Sequence, residues 1–77
     1  MKGYELASNK LRNEIGELFV MCMSYGWHLS IEYVPNTYSW VGLVYAGEKK
    51  EQAVTHIDGD VMQLISTLRS IILTSKN

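Results

Sequence analysis

The chain has 77 residues, of which 47% are apolar and 19% charged, and 7 Lys and Arg against 8 Asp and Glu give a net charge of -1. This composition is too hydrophobic for intrinsic disorder, and the near-zero net charge provides no bulk attraction to phosphate backbones or anionic membranes. The length suits one domain near the lower limit for an independent core. We therefore expect a single domain over residues 1–77, with some apolar surface left for another protein.

Cysteine use and the absence of an apolar leader both favour the cytoplasm. Cys22 is the single cysteine, which excludes an internal disulfide and suits a reducing compartment. The stretch MKGYELASNKLRNE lacks the apolar segment of a signal peptide. The longest apolar run, Leu18 to Met23, has six residues, whereas a membrane span needs about twenty. The sequence predicts a soluble, cytoplasmic protein.

A first helix is predicted from about residue 4 to residue 24, with Gly26 ending it in a left-handed conformation. Its core face is a set of residues at steps of three and four, namely Tyr4, Ala7, Leu11, Ile15, Leu18 and Cys22. A second stripe, Gly16, Phe19, Val20 and Met23, is turned by roughly 100° from the first. Two interpretations are open. These residues widen the core face, or they form a self-association surface on which Gly16 lets the helix of a second subunit approach. We favour the second, which predicts a homodimer.

A β-hairpin follows, because residues 28–47 are rich in β-branched and aromatic types and are interrupted by the turn-forming Pro35-Asn36-Thr37. The strand from about Tyr38 to Ala46 is apolar on both faces, which predicts a central strand covered on both sides. Gly42 within it indicates either a bulge or the close approach of a helix side chain. A more polar third strand is predicted over residues 51–57, at an edge of the sheet.

A second helix is predicted to begin at the Asp58-Gly59-Asp60 segment, where an aspartate can cap the first backbone amides. The apolar residues that follow have the clearest helical period in the chain: Val61, Leu64, Ile65, Leu68, Ile71 and Ile72. The predicted fold is therefore α+β, in the order α-β-β-β-α, with a three-stranded antiparallel sheet and both helices packed on one face.

Residues capable of catalysis or metal binding are few. Cys22, His28, His56 and Asp58 match no metal-ligand spacing, and no glycine-rich phosphate loop precedes either helix. Cys22 lies on the core face of the first helix, where we expect an inert thiol. We expect no enzymatic activity, no metal and no cofactor.

The aromatic residues on and beside the hairpin are more informative. Trp40 is expected in the core. Because helices on one face leave the other uncovered, some tyrosines should be exposed, and grouped exposed tyrosines are typical of contact sites. The sequence predicts a partner-binding surface formed by Tyr33, Tyr38 and Tyr45.

Three resemblances extend this interpretation. The order α-β-β-β-α resembles the double-stranded-RNA-binding fold, but Asp58-Gly59-Asp60-Val61 stands where that family has a lysine-rich segment, and Pro35-Asn36-Thr37 replaces its Gly-Pro-x-His loop. The run from Ile31 to Val41 resembles part of HicB-like antitoxin domains. In size, charge balance and lack of catalytic residues, the chain is similar to small accessory proteins of phages and mobile elements, a class that includes anti-CRISPR inhibitors. That likeness implies an inhibitor of a host protein complex, acting in the host cytoplasm.

The sequence therefore supports two hypotheses for the function. The first is a non-enzymatic protein-interaction module, which we expect to be a phage or mobile-element protein that binds and inhibits a host complex. The alternative is a nucleic-acid-binding or antitoxin-like regulator that uses the sheet or the Lys49-Lys50 loop. Glu32, the single charge between Trp27 and Gly47, is negative and does not favour a basic groove for nucleic acid.

Overall fold

A computed structural model describes the backbone of residues 2–75 and the side chains of residues 9–75. The elements are helix α1 (Lys2–Tyr25), strand β1 (Trp27–Val34), strand β2 (Ser39–Ala46), strand β3 (Val54–Asp58) and helix α2 (Val61–Ser75). The three strands form an antiparallel sheet in the order β1-β2-β3. The predicted α-β-β-β-α fold is confirmed, as is the position of the third strand at an edge.

The end of α1 and the start of α2 have the local structure that the sequence predicts. Gly26 has a φ of 73° immediately after α1, the left-handed conformation that ends helices and that glycine adopts without steric cost. At the start of α2, the Asp60 carboxylate accepts a hydrogen bond from the Met62 amide at 2.9 Å, and the Asp58 carboxylate accepts one from the Asp60 amide at 2.9 Å. Asp60 is therefore the N-cap of α2.

The core lies between the sheet and the two helices. Its fully buried residues come from α1, β2 and α2: Leu18, Cys22, Val44, Leu64, Ile65, Leu68 and Ile72. Leu11, Ile15 and Trp40 pack against this cluster, so the predicted core face of α1 and the predicted core position of Trp40 are confirmed for the described side chains. Tyr4 and Ala7, predicted on the same face, lie outside the residues whose side chains are described.

Gly42 lies directly beneath α2, at the centre of β2. The β1–β2 register runs without interruption from Trp27 opposite Ala46 to Val34 opposite Ser39, so this glycine does not form a bulge. A Cβ atom there would lie 2.7 Å from Leu68 Cδ1 and 3.0 Å from Leu64 Cδ1. Of the two predicted roles, the close approach of helix side chains is the one observed.

Two predicted boundaries and one predicted environment are wrong. The third strand starts at Val54, because Lys50–Gln52 form a 3-10 turn in which the Gln52 amide bonds the Lys49 carbonyl. Tyr38 is in the hairpin turn with a φ of 51°, so β2 begins at Ser39. The β2 face that carries Val41, Leu43 and Tyr45 does not belong to the core cluster, because both helices pack on the opposite face.

A cluster of charged side chains joins the two helices at their outer edge. The Arg69 guanidinium on α2 donates to the Glu14 carboxylate at 3.1 Å and lies 3.4 Å from the Glu17 carboxylate, both on α1. Glu14 is the less exposed of the two acids, with 29% of its side chain accessible against 69% for Glu17. We expect the Glu14 pair to contribute more to stability, since exposed ion pairs contribute little.

Candidate interaction surfaces

The sheet has one face without helices, which we call the open face. Strand alternation and the registers define its residues: His28, Ser30 and Glu32 on β1, Val41, Leu43 and Tyr45 on β2, and Thr55 and Ile57 on β3. Glu32, Val41 and Ile57 lie in one row across the sheet, and Ser30, Leu43 and Thr55 lie in the next. The open face thus has an apolar centre along β2.

The exposure and ring contacts of the open face suit binding of another surface. Ile57 is 63% exposed although it is a large apolar residue in a strand. The His28 and Tyr45 rings stack with centroids 4.4 Å apart and 13° between their planes, which gives this end of the open face an aromatic pair. Within this set Glu32 is the one acidic residue, and there is no Lys or Arg. Large exposed apolar patches are characteristic of contact sites, so the open face is a candidate interaction surface.

The three tyrosines predicted to bind a partner are not brought together. Tyr45 is half-buried on the open face, beside His28. Tyr33 is 43% exposed and contacts Trp40 on the other face, with ring centroids 4.9 Å apart. Tyr38 is 78% exposed in the hairpin turn. Because Tyr45 is five residues from Trp40 along β2, it lies roughly 17 Å from the Tyr33 contact.

The apolar alternation of β2 is the sequence feature that corresponds to the open face. Val41, Leu43 and Tyr45 alternate with the core-facing residues of β2, and apolar residues on both faces of a strand predicted cover on both sides. Ile57 gives no such pattern, since its neighbours His56 and Asp58 are polar, and His28 is itself a polar residue in the first strand. Their membership of the same surface follows from the strand registers.

The stripe predicted for self-association lies on the side of α1 that faces away from the core. Phe19, Val20 and Met23 are 42%, 56% and 74% exposed. A Cβ atom at Gly16 would meet no other atom within 4 Å. Gly16 and Val20 line a shallow groove together with Arg12, Asn13 and Glu17. These residues do not widen the core of the chain itself.

The residues with chemical potential are dispersed. The Cys22 thiol is free and buried, and burial raises its pKa above the ordinary value of 9.0, which disfavours the nucleophilic thiolate. His56 Nε2 lies 3.6 Å from Asp58 Oδ2 on the edge strand. Among residues 9–75, no three His, Cys, Asp or Glu side chains are grouped to hold a metal ion.

Neither described helix is both long and apolar enough to cross a membrane. No family model, no curated protein and no solved structure matches the chain.

Proposed function

We propose that the chain is a non-enzymatic protein-interaction module that binds another protein through the open face. The observation that carries the proposal is the apolar surface of β2 and β3, where Val41, Leu43, Tyr45 and Ile57 lie together without a helix to cover them. Burying apolar area of this type contributes about 25 cal/mol per Å². A protein partner that removes this surface from water would be bound by the same force that forms the core.

Charge argues for a protein partner over a nucleic acid. Proteins that bind single strands combine stacking aromatics with a basic groove. The open face has the stacked His28–Tyr45 pair but, in place of lysines or arginines, it carries Glu32. The adjacent Lys49 and Lys50 are exposed and lie in a loop beyond β2, so they do not extend the apolar surface. The resemblance to small phage and mobile-element proteins supports a partner within a host complex, which binding would inhibit.

The first experiment is capture of partners from a lysate of the native host, followed by mass spectrometry. Wild-type protein is compared with Ile57→Glu, which places a charge on the open face at a position already exposed. Ser70→Glu, at an exposed position on α2, is the matched control. A partner of the open face should be retained by wild type and the control and lost with Ile57→Glu.

Affinity measurements with the captured protein then test the tyrosines. Tyr45→Ala should weaken binding by a hot-spot amount, on the order of 2 kcal/mol, or roughly 30-fold. Tyr38→Gly removes the turn tyrosine and relieves its positive φ, so it should keep or raise the melting temperature. If Tyr38→Gly weakens binding, the contact reaches the hairpin turn, as the sequence predicts.

Binding to nucleic acid is tested in parallel by mobility shifts with generic DNA and RNA at low and high salt. Affinity based on phosphate contacts falls steeply as salt rises. A salt-dependent shift that Lys49→Glu and Lys50→Glu abolish, with no protein captured, would replace the proposal with the regulatory alternative.

A further inference from the structure

We propose that the outer side of α1 is covered by α1 of a second copy, in a parallel, in-register pair about a two-fold axis. This inference is independent of the open face. Five exposed residues of α1 follow one another at alternating steps of four and three, namely Asn9, Asn13, Gly16, Val20 and Met23. We call this set the seam. Such spacing is that of the a and d positions of a heptad, which lie along one helix edge against a partner helix. The apolar members of the seam are Val20 and Met23.

Charge complementarity selects a second copy as the occupant. In a parallel pair of helices, a residue that directly precedes a seam residue such as Asn13 lies opposite the residue five positions later on the partner helix. At the centre of the seam these flanking residues are Arg12 and Glu17, which have opposite charges and are both exposed. Two copies therefore form two equivalent Arg12–Glu17 pairs across the axis. In the sequence, Glu5 and Lys10 repeat the same spacing of opposite charges.

The parallel direction is favoured because it places apolar residues against apolar residues and also pairs opposite charges. In register, Val20 meets Val20 and Met23 meets Met23 of the second copy, and Phe19 flanks them. An antiparallel pair that aligned Arg12 with Glu17 would instead place Val20 opposite Asn9 and leave it against a polar side chain. The parallel pair buries Phe19, Val20 and Met23 together, which are 42%, 56% and 74% exposed in the single chain.

Two seam residues suit a close and defined approach. Gly16 has no side chain, and its position is open, so the two backbones can come together there. Asn13 lies on the seam one turn before it, where paired asparagine side chains in coiled coils fix the register at a cost in stability. The seam is about 21 Å long from Asn9 to Met23, because the helix rises 1.5 Å for each residue. We expect an interface one helix wide to bury less than the roughly 800 Å² per partner of stable complexes, so the self-association should be weak.

The test is the mass in solution by sedimentation equilibrium of the whole chain, from about 10 to about 500 μM, which lies between the micromolar and millimolar dissociation constants of weak complexes. Wild type should shift from monomer to dimer, and Val20→Glu should remain monomeric while Ser70→Glu behaves as wild type. Circular dichroism confirms that each variant is folded. A wild type that is monomeric throughout overturns the proposal, as does dimerisation of Val20→Glu.

Two further arms test the charges and the direction. Arg12→Glu and Glu17→Arg should each weaken self-association at least tenfold. An equimolar mixture of the two variants should form heterodimers, because residue 12 of each chain then faces an opposite charge at residue 17 of the other. Val20→Cys should form a disulfide-linked dimer on oxidation, whereas Ser70→Cys should not. Failure of the mixture to associate overturns the charge pairing, and a dimeric Val20→Cys that does not crosslink overturns the parallel arrangement.

Discussion

Replacement of Gly42 by alanine tests how α2 is seated on the sheet. The new Cβ would lie 2.7 Å from Leu68 Cδ1, 3.0 Å from Leu64 Cδ1 and 3.3 Å from Leu64 Cγ. Both leucines are fully buried in the core cluster, so neither can swing into solvent. Forcing extra volume into a packed core costs about 1–3 kcal/mol. The lower entropy of the unfolded alanine chain offsets about 0.4–1 kcal/mol of this.

The net expectation is a loss of about 1–2 kcal/mol. For a domain of this length each kcal/mol lowers Tm by about 4–8 °C, so Gly42→Ala should melt roughly 5–15 °C below wild type. The measurement is thermal unfolding followed by circular dichroism at low micromolar concentration. Gly16→Ala is the matched control, because this exposed helical glycine has open space around it. It should gain about 0.5–1 kcal/mol.

A double-mutant cycle identifies the clash as the cause. Leu68→Ala is destabilising alone, but it removes the atom closest to the new Cβ. Gly42→Ala should therefore cost less in the Leu68→Ala background than in wild type, since residues in contact couple. A Gly42→Ala protein that melts at or above the wild-type temperature, or a cycle without coupling, would show that α2 is not held against β2 at this point.

Three other predictions concern the helix cap, the helix pair and the thiol. Asp60→Ala should cost about 1 kcal/mol in urea unfolding and Asp60→Asn much less, because asparagine retains a capping oxygen; equal losses would contradict the cap. Glu14→Gln should lower stability by up to about 1 kcal/mol and Glu17→Gln by only a few tenths, as their exposures imply; the reverse order would assign the ion pair to the wrong acid. Cys22 should resist thiol reagents until the protein unfolds. Because burial raises its pKa, the folded state favours the neutral thiol, so the stability contribution is complete below pH 9.0 and is lost as pH rises above it. Rapid labelling of the native protein would contradict this burial.

The parts of the fold that the sequence predicted are those that a single local rule decides. The left-handed Gly26 after α1 and the Asp60 cap before α2 are examples, whereas Gly42 left a bulge and a close approach equally open until the strand register was known. Periodicity placed Leu18 and Leu68 in the core for the same reason, since a helix repeat fixes which side chains share a face. Tyr38 shows the limit. Its left-handed conformation is uncommon for a bulky residue, and its type predicted a strand.

Local sequence rules do not predict features that depend on contacts between distant parts of the chain, such as what covers each face of the sheet. The apolar alternation of β2 is the same whether its second face meets a helix of this chain or a surface outside it, so Val41 and Leu43 alone could not decide between these. The three tyrosines share a residue type, but their grouping depends on strand alternation and on where the hairpin turns. A turn that ends one residue later than expected places Tyr38 outside the strand.

The open face and the seam of α1 lie on different sides of the domain, and this separation has a consequence for their combined use. Core residues of α1 face the sheet, and the seam faces away from it, so pairing through the seam would not cover Val41, Leu43 or Ile57. A dimer would then present two open faces at once. Two linked sites bind a partner that displays two copies of its own surface far more tightly than one site does, when the geometry permits both contacts. Weak self-association could therefore act as a concentration-dependent control on binding, with no change in the open face itself.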